Sequence, residues 1–154
     1  MDNIIKIVDG DILKAKEDII CHQVNCMGAM GSGIAKQIRN KYPEVYKKYS
    51  SYCDKHEDSS QMLGITQFIK CHDGKVIANM FGQLHYGTHK QQTDYIALRK
   101  CFEYLWMRIE ETKESVAIPF NIGCGLAGGS WETVYKIIEE VFGNYDVTLY
   151  RWEV

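Results

Sequence analysis

Two glycine-rich segments, Gly28-Ala-Met-Gly-Ser-Gly33 and Gly123-Cys-Gly-Leu-Ala-Gly-Gly129, are the parts of this chain best suited to chemistry. Each lies between an apolar run that reads as a strand and a run that reads as a helix. Glycine lets the backbone close on an anion and turn its N–H groups toward it, while the following helix adds the positive end of its dipole. Two such loops would hold two phosphates, so a diphosphate ligand is the first expectation. One loop alone more often makes only a tight strand-to-helix turn; a matched pair favours the ligand. Neither loop is a familiar nucleotide motif. Gly28-x2-Gly31-x-Gly33 lacks the Gly-x-Gly-x-x-Gly order of a dinucleotide site, and neither loop ends in Gly-Lys-Ser/Thr, so NTPase-type hydrolysis is not expected.

The elements that position these loops follow from periodicity. Ile4–Val8 and Ile19–Val24 read as strands, the second feeding the first glycine loop. Ile34, Ala35, Ile38 and Tyr42 recur at helical spacing, and Pro43 opens a further helical run. Cys53–Gln61 is polar enough for a solvated connection. Gly64–Cys71 and Lys75–Phe81 flank Asp73-Gly74 and predict an antiparallel hairpin. Thr93 is placed to cap a long helix through Ile109, Ser115–Phe120 to form a buried strand, Ser130 to cap the next helix and Asp146–Trp152 to close the chain as a strand. Strands alternating with helices predict an α/β fold with a mainly parallel sheet, whose ligands gather outside the carboxyl ends of the strands. Both glycine loops and the Gly82–Gln92 loop leave strands there.

Composition bounds the function. The chain has 154 residues, 45% hydrophobic and 25% charged, with a formal net charge of -2, which fits one globular domain over residues 1–154. Such a charge gives no global attraction to nucleic acid or to an anionic membrane, and Lys36, Arg39, Lys41, Lys47 and Lys48 read first as a solvated helix face, second as a basic patch. No membrane span or export signal is expected, and the six cysteines read as free thiols of a cytoplasmic protein. His85-x3-His89 with Cys71 or His72 lacks a paired Cys-x2-Cys, so no metal site is expected.

Taken in order, Gly10-Asp-Ile12, Val24-Asn25 leading into Gly31-Ser-Gly-Ile-Ala35, and Ile122-Gly-Cys-Gly-Leu-Ala-Gly-Gly-Ser-Trp131 resemble the macro domain family, which recognises ADP-ribose. The resemblance spans nearly the whole chain and is greatest to the branch that includes terminal ADP-ribose protein glycohydrolase and the ADP-ribose 1″-phosphate phosphatases. It implies a three-layer α/β/α fold around a mixed, mainly parallel sheet of about six strands. It also implies roles. Asp11 accepts from the adenine amino group with the Ile12 backbone beside it, although an Asp at such a boundary is as readily a turn or helix cap. Asn25 contacts the distal ribose; Gly31, Ser32, Gly33 and Ile34 form the first phosphate loop; Gly123, Cys124, Gly125, Leu126 and Ala127 form the second. Gln83, His85 and Tyr86 are candidates for covering the distal ribose. A β-branched residue at Gly33 or Gly125 is expected to harm binding more than folding.

The branch's glycohydrolase uses a lysine near a central strand end and an aspartate in the second loop. This chain has no lysine between Val76 and His89 and carries Ala127 where the aspartate would stand. The phosphatase-like members present a histidine on the second strand, matched by His22, which is either a catalytic group acting with Asn25 or a packed strand histidine. Three functions follow as expectations. The first is a hydrolase, without cofactor, acting at the distal ribose on an ADP-ribosyl adduct, a 1″-phosphate or an acetyl ester. The second is a non-catalytic ADP-ribose reader, and the third a module for ADP-ribosylated nucleic acid. A monomer is expected in each case.

Overall fold

The two periodicities alternate as expected in the computed structural model, which describes residues 5–152. The order is β1 (Ile5–Asp9), β2 (Ile19–Asn25), α1 (Gly33–Lys41), α2 (Pro43–Asp54), β3 (Thr66–Lys70), β4 (Val76–Gln83), α3 (Tyr95–Thr112), β5 (Val116–Pro119), α4 (Trp131–Phe142) and β6 (Val147–Arg151). Ile4, expected to begin the first strand, lies outside the described residues. The strands form one sheet in the order β1-β6-β5-β2-β4-β3. Every neighbouring pair is parallel except β3 with β4, the hairpin turned at Asp73-Gly74, where Gly74 takes a φ of +89°.

Because successive strand residues face opposite ways, each central strand supplies two cores. Ile19 and Cys21 of β2, with Ala78 and Met80 of β4, pack under α3 and α4 against Leu98, Phe102, Leu105, Ile138 and Phe142. Ile20 and Val24 of β2, with Ile77 and Phe81 of β4, pack under α1 and α2 against Ile38, Val45 and Tyr49. The result is three layers, helices on both faces of a mixed sheet.

Two local expectations change. Thr93 does not cap α3: the carboxylate of Asp94 accepts from the Ala97 N–H at 3.0 Å, while the Thr93 hydroxyl is turned inward to donate to the Gly123 carbonyl. The polar stretch after Cys53 is not a plain connection. α2 runs on to Asp54, and Asp58 caps a 3-10 turn over Ser59–Met62 that buries Met62. Ser130 does stand at the N-cap of α4 but makes no side-chain cap bond.

What positions a site is the way the sheet parts. β5, β2 and β4 are neighbours and parallel, so the segments that follow them leave one edge together. β2 stays paired with β4 through Asn25, but with β5 only at Ile19↔Val116 and Ile20↔Ala117. Beyond that point β5 pairs with β6 alone and ends at Pro119, which has no N–H to offer a neighbour. A gap therefore opens between β2 and β5 toward their carboxyl ends. The rigidity of its walls depends on the cores beneath: replacing Phe102, fully buried against Phe142 at 5.7 Å between ring centroids, with alanine is expected to cost about 3–5 kcal/mol, read as a lowered denaturant midpoint at unchanged slope.

Candidate functional site

The parted strands hold a cleft of about 670 Å³. One side is the first glycine loop running into α1, with Gly31, Ser32, Gly33, Ile34 and Ala35; the other is the second, with Gly123, Gly125, Leu126 and Ala127. Residues 22–25 of β2 and 119–122, running on from the end of β5, line it between the loops, and Gln83, Tyr86, Gly87 and Thr88 complete it. Most of the residues expected at a site are thus brought together. Four are not on the lining: Asp11, Ile12, Cys124 and His85. Asp11 stands at the end of β1, where its Oδ1 accepts from the Leu13 N–H at 3.0 Å and caps the Ile12–Lys14 turn around the buried Ile12 side chain. Cys124 packs toward the α3/α4 core, its thiol pushed up to about 11 by burial. His85 is exposed.

Each loop is tied down by side chains below it. The Asn25 carboxamide folds the start of the first loop: Oδ1 accepts from the Met27 and Ala29 N–H groups and from the Tyr49 hydroxyl, and Nδ2 donates to the Ala29 carbonyl. That leaves its second Nδ2 hydrogen for a ligand. Under the second loop, Thr93 donates to the Gly123 carbonyl at 2.6 Å, so its oxygen accepts from Gln23 Nε2 at 2.9 Å. Gln23 Nε2 also donates to Gln83 Oε1, and Gln83 Nε2 to the His85 carbonyl. Both Gln23 Nε2 hydrogens are committed, and Gln23 Oε1 is buried without a partner. The same oxygen explains Gly82. A bulge after Val24 pairs Asn25 with Gln83 and skips Gly82, where a Cβ would stand 2.3 Å from Gln23 Oε1.

The glycines of the two loops do different work. Gly33 has a φ of +58°, so a β-branched residue there strains the backbone, and the expectation that it spares folding does not hold. Gly123 combines a φ of +74° with Gln23 Oε1 and Thr93 Oγ1 within about 3.1 Å of any added Cβ, and is likewise needed by the fold. Gly125 has an ordinary φ and open space where a Cβ would go. Its bareness serves the cleft.

Among the described residues, no lysine, arginine, aspartate or glutamate lines the cleft. An anion there meets dipoles instead: Ser32, the N-cap of α1, makes no side-chain cap bond, so the first-turn amides of that helix keep their donors for a ligand. Periodicity could not have singled out Gln23 within β2, Thr93 before α3 or Phe120 after β5, which line or brace the cleft as half-buried or buried polar and aromatic residues. Asn79 had one signal, a polar residue inside an otherwise apolar strand.

Among the described residues, His22 and Tyr86 are the titratable side chains on the lining. Tyr86 is exposed; His22 is 2% exposed, with Nε2 2.5 Å from Asn79 Oδ1 and Nδ1 without a protein partner. Burial pushes the His22 pKa down to about 4, against the opposing pull of the Asn79 hydrogen bond, so the ring is neutral at physiological pH. Above about pH 6.5 the ring is neutral in both folded and unfolded chains and does not affect stability. As the pH falls below that, the unfolded chain takes up a proton that the native ring refuses until about pH 4, and stability is lost. Between pH 7 and pH 5 the native protein should lose about 2 kcal/mol relative to His22→Gln, measured by paired denaturant titrations in which the carboxylates common to both proteins cancel.

Residues 21–138 match the family model described as Macro domain. The chain is 25% identical to an ADP-ribose 1″-phosphate phosphatase of Saccharomyces cerevisiae (strain YJM789) over 96% of its own length and 98% of that protein's. It is 29% identical, over 86% of its length, to a DNA ADP-ribosyl glycohydrolase of Mycobacterium tuberculosis (strain ATCC 25618 / H37Rv), of which the match spans only 37%. Among solved structures, the macrodomain of Mycobacterium tuberculosis DarG superposes with a TM-score of 0.81 at 26% identity over 99% of both chains. With the cleft bounded by the two glycine loops of its carboxyl edge, the chain belongs to the macro domain family.

Proposed function

We propose that the cleft binds ADP-ribose and that the protein hydrolyses a group at the distal ribose: a 1″-phosphate, an acetyl ester or an ADP-ribosyl linkage. Two backbone-lined glycine loops facing each other across a cleft without charged side chains suit a diphosphate, which such loops hold by N–H groups and helix dipole. Asp11 fits the far end. β1 lies at the same sheet edge, two and a half strand spacings or about 12 Å from the gap between β5 and β2, a reach suited to an adenosine. Its Oδ1 is used in capping, and Oδ2 is the oxygen for the adenine amine.

The observation that carries the hydrolase reading is His22, a buried neutral imidazole on the lining whose Nδ1 has no protein partner. It would accept a proton from water or from a ribose hydroxyl, while Asn25 offers its remaining N–H to the distal ribose. Gln83 and Tyr86, on the lining, cover that end, with His85 outside it. Lysine chemistry is not part of the proposal, since no lysine lines the cleft. Adducts on DNA are a second reading, supported by the glycohydrolase relatives and by a groove of about 330 Å³ on α2 between Lys47, Lys48 and Lys55. We place the protein in the cytoplasm as a monomer, where its six free thiols would stay reduced.

Calorimetric titration should show ADP-ribose bound at least roughly tenfold more tightly than AMP, because AMP forgoes the second phosphate and the distal ribose. Gly125→Val should fold normally and lose most of that affinity; a folded variant with undiminished affinity would remove the second loop from the site. Turnover of ADP-ribose 1″-phosphate and of an ADP-ribosylated oligonucleotide, each with His22→Ala as control, then separates the substrates. Binding without turnover of either would leave a reader, and full activity in His22→Ala would remove His22 from the chemistry.

A further inference from the structure

His22 is the first member of a line of amides that crosses the sheet. Its Nε2 meets Asn79 Oδ1 on β4, its register partner; Asn79 Nδ2 donates to Gln67 Oε1 on β3 at 3.1 Å; Gln67 Nε2 donates to the Lys48 carbonyl of α2 at 3.4 Å. The direction of the line is set at its far end. A backbone carbonyl only accepts, so Gln67 must turn its NH₂ toward Lys48 and its oxygen toward Asn79. Asn79 must then turn its NH₂ toward Gln67 and its oxygen toward His22, and an oxygen at that place requires a proton on His22 Nε2. In the neutral ring the other nitrogen, Nδ1, carries the lone pair, and it is the atom left without a partner in the wall of the cleft. Asn79 is fully buried, so its amide is not turned by solvent, and Gln67 is half-buried.

We propose that Asn79, oriented in turn by Gln67, is a positioning residue that holds His22 as its Nε2-protonated tautomer and so presents an unprotonated Nδ1 to the distal end of the ligand. The chemical consequence rests on the reading of His22 as the group that acts there. A proton taken at Nδ1 makes an imidazolium whose Nε2–H already has its acceptor, so His22 changes charge without turning over. This is the part an orienting carboxylate or amide plays behind the histidine of a catalytic triad. Neither Asn79 nor Gln67 lines the cleft, and Gln67 lies on the α2 side of the sheet beside Lys48.

Nitrogen-15 spectra that correlate ring nitrogens with ring carbon-bound protons distinguish the two tautomers directly and need no turnover. In the full-length protein at neutral pH, His22 should be protonated at Nε2. Gln67→Met removes the acceptor that turns Asn79, and should give a mixture with the Nδ1-protonated form; Gln67→Glu keeps an acceptor there and should restore the single tautomer. Asn79→Leu should also lose it. A wild-type ring protonated at Nδ1, or a Gln67→Met spectrum identical to wild type, overturns the proposal. Gln67 is half-buried, so its variants should fold even where Asn79→Leu does not. If the protein turns over a distal-ribose substrate, Gln67→Met should lower kcat by roughly threefold or more with KM within about twofold, since a misassigned tautomer impairs chemistry more than binding. A correct tautomer without turnover would overturn the hydrolase reading and leave the relay standing.

Discussion

The cleft exists because β2 leaves β5 after Ile20 while remaining paired with β4 to its end. A continuous sheet would have buried residues 22–25 of β2 between two neighbours and closed its carboxyl edge with ladder hydrogen bonds. Parting costs those bonds, and the sequence limits the loss. Pro119 has no N–H to leave unpaired, and β6 takes the pairing of Ile118 and Pro119. On the β2 side, Gln23 and Asn25 are polar residues whose amides then bind loop backbones and neighbouring side chains. The polar residues at the strand end and the apolar ones at its start thus belong to two parts of one strand, paired on both sides and then on one.

From that gap follows the manner in which an anion would be met. A charged side chain within it would need a partner or would distort every other ionisation nearby. Among the described residues the cleft carries none on its lining, and an anion there would rely on peptide N–H groups held in place from below. Such donors are weak singly and act well only when rigid, which accounts for the density of ties beneath the loops: four contacts on Asn25, two on Gln23 Nε2, and the Gln92 and Thr93 N–H groups both directed to the Ala127 carbonyl. Glycine contributes at separate points, by conformation at Gly33 and Gly123, by close approach at Gly82, and by bareness at Gly125.

The layers, the antiparallel hairpin and the convergence of three loops could be read from the sequence because periodicity and turn residues report local backbone preference, and the rule for parallel sheets carries that preference to an edge. Both glycine loops line the cleft for that reason. What could not be read depends on contacts between distant segments. Thr93 has the composition of a cap and is diverted because Gly123, thirty residues on, needs a donor. Asp11 serves its local cap because Leu13 is two residues away, whether or not adenine uses its other oxygen. The glycine runs look interchangeable in a sequence, yet φ and the nearest side chain separate Gly33 from Gly125. Gln67 carries no signal at all, since its meaning lies in which way Asn79 must face.

Burial moves His22 far from its ordinary range, and no charged side chain beside it opposes that displacement. Burial lowers its pKa because nothing beside it stabilises the imidazolium except Asn79 Oδ1. A phosphorylated ligand would be the largest charge in the neighbourhood, and an anion close to the ring favours the protonated form. By reciprocity, whatever a ligand adds to the proton affinity of His22 is returned as tighter binding of that ligand when the ring is protonated. A weak base in the free protein then becomes a stronger one when the anion arrives, and the degree depends on how many charges stand near Nδ1. A distal phosphate has more of them than a ribose hydroxyl or an acetyl ester. If His22 acts at the distal ribose as proposed, the neutral lining would let the ligand set the ionisation of the histidine, and a distal phosphate would raise its basicity more than a neutral distal group.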